Sequence, residues 1–508
     1  MKINTLDDLD KFESKIGSEF RKFRLGDILH SLHIYGKTAE HPFVIAGAAL
    51  FAIRFSLPSK NIQQKKGISS GNLTKLINLI WKYQSIDPII FDNDLHTDFN
   101  ASNPIFLLIR VVNQQFPFNI SKYSQFTRPI FLYHEIPPTL VGKKGVPKFD
   151  LIKEFENLNG VSVPEFINLM VVISSYLRQY STFSLDDIVR QARIKGINIP
   201  DEQGISLAIS QIAGDQKQLT NLYEKRQAGD RRFKMYDISP LLEFPIIYPC
   251  RGTGFTDYGN NIISAPIPDL IDRRNCIGIY YQLFNKFTNI FSDYFGHVLE
   301  NYLGIVLNNC ITSELIFDEN QISSSYSGKK PDYAIIDGSM TILFECKAVK
   351  LKKDAKTMAT EEDINESLKQ VIKGLKQLDE FIKACQKKLP GLEKFYGCSK
   401  FKPVLVSLEE VYLINSDWFR NHINDLLRNE GIINLDWQIL SIGELERLQP
   451  HLVEGIHLSQ VLQNLGQKTF NNVLKELAAQ THKTYKDSFL YPKQEELYQR
   501  LGIPDINE

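Results

Sequence analysis

Three charged residues in the middle of the chain, Asp332, Glu345 and Lys347, have a spacing that brings two carboxylates and an amine together. The Asp337-Gly338 pair between two apolar runs is typical of a β-hairpin turn. If the turn is centred after Gly338, positions 332 and 345 face each other with Cβ atoms roughly 5 Å apart. Lys347 then lies on the same strand face as Glu345. Because facing carboxylates repel, the pattern predicts a divalent cation and Lys347 as the compensating charge.

Two predicted helices flank this hairpin in the sequence. Upstream, the segment SDYFGHVLENYLGIVL has apolar residues at helical spacing and carries Glu300 on an otherwise apolar helix. Downstream, Thr360 caps a helix that continues to about residue 388. Gln370 and Gln377 are seven residues apart on that helix and therefore lie on nearly the same face.

The order of predicted elements from about residue 285 to 450 is helix, three strands, helix, strand, helix, strand, which indicates an α/β or α+β layout around a mixed sheet. In this setting Pro331-Asp332, a gap of twelve residues and Glu345-Cys346-Lys347 resemble the PD…ExK motif of the PD-(D/E)xK nuclease superfamily. Glu300 matches the acidic residue that many members carry on the helix before the sheet. The resemblance covers roughly a third of the chain.

The resemblance implies hydrolysis of phosphodiester bonds with the help of a divalent metal ion. Asp332 and Glu345 would bind Mg²⁺, for which Mn²⁺ can substitute, together with the backbone carbonyl of Cys346. Glu300 would hold a second metal ion or reach the first through water. Lys347 would orient or help to deprotonate the attacking water, or stabilise the developing charge.

The resemblance also implies a glutamine at the site, and we expect Gln370 to fill this role, with Gln377 as the alternative. The tyrosine that one subgroup carries four residues after this glutamine is absent, since Gly374 stands there. Two structural alternatives stay open. The hairpin charges can form a solvated cross-strand ion network, and Glu300 can be a helix-surface carboxylate.

Residues 160–240 predict three helices, with starts near Ser162, Ser184 and Pro200, and then a hairpin over 219–238. This order resembles a winged helix-turn-helix domain. A basic hairpin tip would contact phosphates, although the third helix has no Arg or Lys for base readout. Such units also serve as protein-interaction or dimer modules. The candidate nucleic-acid-binding residues of the hairpin are Lys225, Arg226, Arg231, Arg232 and Lys234, and two lysines after the ExK triplet, Lys350 and Lys352, are further candidates.

The expected fold is therefore multidomain, with a mainly helical N-terminal half that includes the winged-helix-like unit. An α/β restriction-endonuclease-like core with a central mixed sheet follows, and the chain ends in a helical tail. The expected divisions are a helical scaffold or partner-binding region over 1–155, the winged-helix-like domain over 160–240, a linker over 241–276, the nuclease domain over 277–450 and a helical extension over 451–508.

Composition sets wider bounds. The chain has 508 residues and no net formal charge, so a nucleic-acid partner would need a local basic surface. Six scattered cysteines without a CxxC pair disfavour a disulfide framework or a zinc site. The N-terminus lacks a signal-peptide core, and the longest apolar run, 43–53, is too short to span a bilayer. We expect a soluble cytoplasmic protein with no membrane partner.

The function that these observations favour is a Mg²⁺-dependent endonuclease acting on DNA, plausibly in bacterial restriction or anti-phage defence. The alternatives are a repair or structure-specific nuclease, an RNase, and a non-catalytic nucleic-acid-binding regulator. The sequence has no GxxxxGK[ST] loop, so ATP dependence would require a partner subunit. A homo-oligomer is the other assembly that we consider.

Overall fold

The computed structural model describes residues 3–37, 41–56, 67–86, 104–118, 126–227, 229–248, 262–311, 315–323, 325–347 and 351–501. In these residues the chain is multidomain and mainly helical, with a helical N-terminal part and an α/β region, as the sequence predicts. The described strands form one four-stranded and one five-stranded mixed sheet.

The N-terminal part is a group of helices around one apolar cluster. Thr5 and Asp8 form a capping box at the first helix. The third helix is apolar on all sides and is therefore buried among its neighbours. The helices are α1 (Leu6–Phe20), α2 (Leu25–Gly36), α3 (Pro42–Phe55), α4 (Ser70–Gln84) and α5 (Pro104–Gln115).

The middle of the chain contains the three predicted helices, and the side chains of Ser162 and Ser184 cap the first two of them. The third begins at Glu202, two residues beyond the predicted start, and the side chain of Asp201 caps it. The elements are α6 (Thr127–Ile130), α7 (Ile136–Leu140), α8 (Leu151–Asn159), α9 (Val163–Gln179), β1 (Thr182–Ser184), α10 (Leu185–Ile194), α11 (Glu202–Ser210), β2 (Ala213–Gly214), α12 (Gln216–Lys225), β3 (Ile246–Ile247), β4 (Ile262–Ser264) and α13 (Asp269–Arg273).

The predicted hairpin over 219–238 is wrong. Asp215 and Gln218 form a capping box that starts α12, and Leu219 and Tyr223 are buried four residues apart, which is a helical spacing. Residues 231–236 form a 3₁₀ helix. An antiparallel strand pair does follow the three helices, but it is formed by β3 and β4.

The basic residues of the supposed hairpin are mostly neutralised inside the protein. Arg226 pairs with Glu243, and Arg232 is buried and pairs with Asp230. Arg231 and Lys234 both pair with Asp10, and Lys234 also pairs with Glu13, so these two cations attach the segment to α1. Lys225 is exposed. A phosphate-binding wing at these five positions is therefore not supported by the fold.

The interpretation of residues 241–276 as a linker also needs correction. The segment supplies β3 and β4 to the four-stranded sheet, in the order β1-β4-β3-β2. Ile246 and Ile263 are fully buried. Its proline and glycine residues suggested a connection, but its apolar residues form part of the core.

The α/β region is built around a five-stranded sheet in the order β5-β6-β7-β8-β9. The first three strands are antiparallel neighbours, and β7, β8 and β9 are parallel. Its elements are α14 (Ile279–Cys310), β5 (Ile316–Asp318), α15 (Glu319–Ile322), β6 (Tyr333–Asp337), β7 (Met340–Cys346), α16 (Lys353–Thr357), α17 (Glu361–Gln386), β8 (Lys400–Ser407), α18 (Asp417–Asn429), β9 (Gln438–Ser441) and α19 (Ile442–Leu452).

Alternating residues of the sheet face two helical layers. Ile342 and Phe344 of β7 belong to the cluster that contains the apolar face of α14. Leu343 of β7 and Leu405 of β8 belong to the cluster that contains α17 and α18. The period of two along each strand therefore produces a three-layer arrangement of helix, sheet and helix. The kink in α14 lies at Thr288, where φ is +49°.

The C-terminal residues are helical, as predicted, and pack on the α14 side of the sheet. Leu462, Val473 and Leu497 share an apolar cluster with Phe344. Their helices are α20 (Leu458–Leu465), α21 (Phe470–Thr481) and α22 (Tyr491–Leu501).

Among the described helices, none is by itself long and apolar enough for a membrane span. Residues 151–159 and 163–179 reach that composition only as a pair bent by 47°.

A buried ion pair joins the segment before α7 to the α/β region. Arg128 donates to Glu446 through Nε at 2.7 Å and through Nη2 at 2.5 Å, and Tyr302 of α14 donates to the same carboxylate at 2.6 Å. Arg128 and Glu446 are both buried. We expect Arg128→Met to lower the free energy of unfolding by about 3–5 kcal/mol, because Glu446 stays buried without its cation. Chemical denaturation measures this loss.

The matched control is Arg428→Met, which breaks an exposed pair with Asp425. That change is expected to alter stability by less than about 1 kcal/mol. Equal losses in the two variants would contradict the structural importance of the buried pair.

Candidate active site

The β6–β7 hairpin has the predicted register. Asp337 pairs with Met340 and Tyr333 pairs with Phe344, so the next position places Asp332 opposite Glu345. Gly338 has a φ of +62°, a left-handed conformation that suits glycine in a tight turn. Glu345 is buried at the carboxyl end of β7. The turn therefore fixes two carboxylates at the same end of the sheet.

Both oxygens of Glu345 have internal partners. Lys347 Nζ donates to Oε1 at 2.5 Å, and Gln377 Nε2 of α17 donates to Oε2 at 2.8 Å. Burial raises the pKa of Glu345, and the charge of Asp332 raises it further, although Lys347 and Gln377 both act in the opposite direction. The carboxylate is thus held by one cation and one amide in a site that disfavours its charge.

Asp332 accepts a hydrogen bond from the backbone N–H of Cys346 at 2.6 Å, which bridges the two strands at their open end. Burial raises the pKa of Asp332, and the nearby carboxylate of Glu300 raises it further. Lys347 lowers it only in part. The Asp332 carboxylate therefore also lies in a buried region where the nearby cation does not balance the negative charge.

Glu300 approaches the site from α14, on the other side of the sheet. Burial raises its pKa to about 7, and Glu319, Glu345 and Asp318 each add to the shift. His297 lies one turn earlier, with Nδ1 3.4 Å from the Glu300 carboxylate. The structure therefore brings Glu300 close enough to Asp332 and Glu345 for their charges to interact, as the sequence predicts.

A close approach between α17 and Lys347 depends on Gly374. A Cβ at that position would lie 2.8 Å from Leu405 Cδ2 and 3.2 Å from Lys347 Cγ. The glycine therefore lets the aliphatic stem of Lys347 lie against the helix while the amine reaches Glu345. This role was missed in the sequence, where Gly374 was noted only as the absence of a tyrosine.

The choice of glutamine needs correction. Gln377 contacts Glu345 and also donates to the carbonyl of Lys330 at 2.9 Å, whereas Gln370 is exposed. The two residues share a helix face, but seven residues separate them by about 10 Å along the axis. Gln377, about two turns after Gln370, lies beside Glu345 at the carboxyl end of β7. The helical spacing predicted correctly that the two glutamines share a face, but it could not predict which of them reaches the site.

Two further predicted residues follow the hairpin in the sequence. Lys352 is exposed and pairs with Glu366 of α17 at 3.0 Å. Lys350 lies outside the described residues. Cys346 and Lys347 line a hollow of about 40 Å³ next to α14, which has room for about three water molecules.

The donor set is compatible with a hard divalent cation, because it consists of carboxylate oxygens and a backbone carbonyl. The raised pKa values of Asp332, Glu345 and Glu300 have a common cause in uncompensated negative charge and burial. In the described residues, no three His, Cys, Asp or Glu side chains are already arranged to hold a metal ion. Metal binding would therefore require the Glu345 contacts to change.

Comparisons with protein-family models, with curated proteins and with solved structures find no match to this chain. The superfamily resemblance consequently stays a prediction from the motif.

The raised carboxyl pKa values predict a pH-dependent stability. A carboxyl group whose pKa is raised from 3.8 to about 7 on folding, as for Asp332, destabilises the protein increasingly as pH rises through that window. We therefore expect Asp332→Asn to raise Tm above pH 7 in EDTA and to leave it unchanged near pH 4. Each 1 kcal/mol of relieved repulsion corresponds to about 2–4 °C. Calorimetry across this pH range measures the difference.

Asp425→Asn removes an exposed carboxylate and is the matched control. A similar Tm gain in the control, or a gain at Asp332 that is independent of pH, would contradict the repulsion argument.

Proposed function

We propose that the protein is a metal-dependent nuclease that hydrolyses phosphodiester bonds, most plausibly in DNA. The observation that carries the proposal is the meeting of Asp332, Glu345 and Lys347 at one end of a mixed sheet, in the register that the PD…ExK spacing requires. Isolated charged residues on a surface would not be buried together with raised carboxyl pKa values.

In this proposal Asp332, Glu345 and the carbonyl of Cys346 hold Mg²⁺ or Mn²⁺, and Glu300 supports it or binds a second ion. The metal ion would activate water and neutralise charge on the phosphoryl group. The carboxylates have the hard oxygen donors that such ions prefer. Because Lys347 donates to Oε1 of Glu345, a metal ion held by this carboxylate would compete with the amine. A displaced amine would then be available to the substrate.

Lys347 has two parts to play, according to where its amine lies. On Glu345, at 2.5 Å, it compensates part of the carboxylate charge. Turned away, the amine can orient a water in the adjoining hollow, hold a proton at Nζ or stabilise the developing negative charge. Gln377 holds Glu345 in place for both positions of the amine, because its Nε2 donates to Oε2 of Glu345.

The biological setting that the resemblance implies is bacterial restriction or anti-phage defence, and it rests on analogy with the superfamily. RNA as substrate, and a repair or structure-specific role, are the neighbouring possibilities for the same site chemistry. Cytoplasmic location and a partner subunit or homo-oligomer belong to this proposal as well.

One observation favours a second candidate, a non-catalytic nucleic-acid-binding regulator. Lys347 and Gln377 donate hydrogen bonds to the two oxygens of Glu345, and the Cys346 N–H donates to Oδ2 of Asp332. If these contacts persist in the presence of metal, the site is a structural network. Tight nucleic-acid binding without cleavage of any substrate would then identify the regulator.

Cleavage assays test the proposed chemistry. Plasmid DNA, single-stranded DNA and RNA are incubated with Mg²⁺, Mn²⁺ or EDTA. We expect metal-dependent cleavage that Lys347→Ala lowers by about 10²-fold or more, because a positioned acid–base group contributes this much. Lys376→Ala, which removes an exposed lysine of α17 paired with Glu430, is the control and should retain activity. Cleavage that survives Lys347→Ala would rule out this site.

The two glutamines of α17 form a second matched pair. We expect Gln377→Ala to lower the cleavage rate by roughly tenfold, because loss of a neutral hydrogen bond to a charged group corresponds to about 1.5 kcal/mol. Gln370→Ala should leave the rate unchanged, since its side chain is exposed. Rates at saturating substrate measure both effects. A loss of rate in Gln370→Ala but not in Gln377→Ala would show that Gln370, and not Gln377, belongs to the site.

A further inference from the structure

A cavity of about 1510 Å³ lies between the N-terminal helices and the α/β region. Its walls include residues of α3, the start of α14, α16 and the segments that follow β8 and β9. Strand β8 ends at Ser407, and the segment 408–416 that follows it forms part of this wall. The cavity therefore lies at the carboxyl ends of parallel strands, where open α/β sheets commonly bind ligands.

Three partly buried cations on the wall form no ion pair within the part of the chain that the structure describes. Lys353 donates to the carbonyl of Gln227 at 3.4 Å. The other two are Arg273, at the end of α13, and Lys356 of α16. Burial lowers the pKa of Lys356, and Arg273 lowers it further, while Glu409 opposes the shift. The pKa of Lys356 stays lowered on balance, so Glu409 compensates this cation only in part. Other wall cations are already paired, among them Arg226 with Glu243 and Arg447 with Glu410.

Arg274 adds a buried cation with unused donors. Its Nη2 donates to the Gln211 carbonyl at 3.4 Å and to Gln282 Oε1 at 3.1 Å, whereas Nε and Nη1 are buried without a hydrogen-bond partner among the described residues. The residue is 3% exposed and starts a π-helical turn that ends at Gly278. A Cβ at Gly278 would lie 2.4 Å from the Arg274 Cδ, so the glycine makes room for the guanidinium. π-Helical turns are frequent at functional sites.

Aromatic rings lie on the same walls. Phe116 is 41% exposed, and its ring contacts Tyr412 edge-on with 5.1 Å between centroids. The charges of Arg273 and Glu409 influence the pKa of both Tyr281 and Tyr412, so these rings lie near Arg273. Basic side chains together with accessible rings are the combination that binds a single nucleic-acid strand, because its phosphates meet cations and its bases stack.

The cavity also adjoins the candidate active site. Leu408 and Glu409 belong to its wall and also to the wall of the small hollow at Cys346 and Lys347. A strand in the cavity would therefore be one wall away from Lys347.

We propose that this cavity binds a single strand of nucleic acid, with Arg273 and Lys356 contacting phosphates, the buried Arg274 adding positive charge behind them, and Phe116 and Tyr412 contacting bases. The proposal rests on the proposed function and makes it more specific, since it names single-stranded nucleic acid, or a strand separated from a duplex, as the substrate. A duplex is the less suitable ligand because its base faces are stacked and unavailable to the rings. The cavity is also larger than the roughly 300–1,000 Å³ that small-molecule sites usually occupy.

Binding of fluorescein-labelled dT12 to the full chain in EDTA tests the proposal without depending on cleavage. Anisotropy at several KCl concentrations gives the affinity and its salt dependence. We expect the double variant Arg273→Gln/Lys356→Gln to weaken binding at least tenfold. The slope of log K against log salt should become shallower by about 1.4, the value for two lost phosphate contacts on a single strand. Arg274 is left intact because its burial makes a folding defect the expected result of its removal.

Phe116→Ala separates stacking from charge. Loss of one stacked base should weaken dT12 binding by roughly tenfold with an unchanged salt slope. Lys475→Gln, which removes an exposed lysine outside the cavity wall, should bind like the wild type. Thermal unfolding of every variant shows whether a lost affinity reflects a lost fold.

Three results would overturn the proposal. They are wild-type affinity in the Arg273/Lys356 double variant, tighter binding of a 12-base-pair duplex than of dT12, and equally tight competition by dTMP, which would indicate a nucleotide pocket. None of these affects Lys347-dependent cleavage, so the nuclease proposal would survive them. Conversely, cavity-dependent dT12 binding without cleavage of any substrate would support the cavity and reject the nuclease.

Discussion

The repulsion between Asp332 and Glu345 is the constraint on which the candidate site depends. The register of a two-stranded hairpin forces the two carboxylates together, and burial at the sheet end makes their charges costly. The neighbouring elements respond to that constraint. The backbone N–H of Cys346, the amine of Lys347 and the amide of Gln377 each donate to one of the two carboxylates. The helix α17 and its Gly374 are placed so that two of these donors can reach.

The same constraint explains why Glu300 matters although it lies on another element. It brings a third carboxylate from α14 into a region that already has an excess of negative charge, and its pKa rises to about 7. A protein that needed only a stable hairpin would gain nothing from this addition. A bound cation would neutralise this excess of negative charge. The electrostatics of the hairpin therefore agree with the proposed metal chemistry.

Sequence patterns of short range predicted much of this arrangement. The Asp337-Gly338 turn gave the register, and Ser162, Ser184 and Thr360 marked helix starts correctly, because caps and turns depend on neighbouring residues. The level of Gln377 rather than Gln370 depends on where α17 docks on the sheet, which no local pattern contains. The basic segment 225–234 was misread for the same reason. The partners of Arg231 and Lys234, Asp10 and Glu13, are more than 200 residues away, so the charge of these two residues looked available when it was not.

Charge that is left over after folding is therefore a better guide to ligands than charge in the sequence. Arg231 and Lys234 looked like a nucleic-acid contact and are used to attach α1. Arg273 and Lys356 form no comparable cluster in the sequence, yet folding places them on the same cavity wall, where the charge of Arg273 acts on Lys356. The hollow at Cys346 and Lys347, beside the acidic cluster, and the cavity with these cations thus share the wall formed by Leu408 and Glu409. A phosphodiester strand needs both, because its phosphates require cations for binding and the scissile phosphate requires carboxylates that can hold a metal ion.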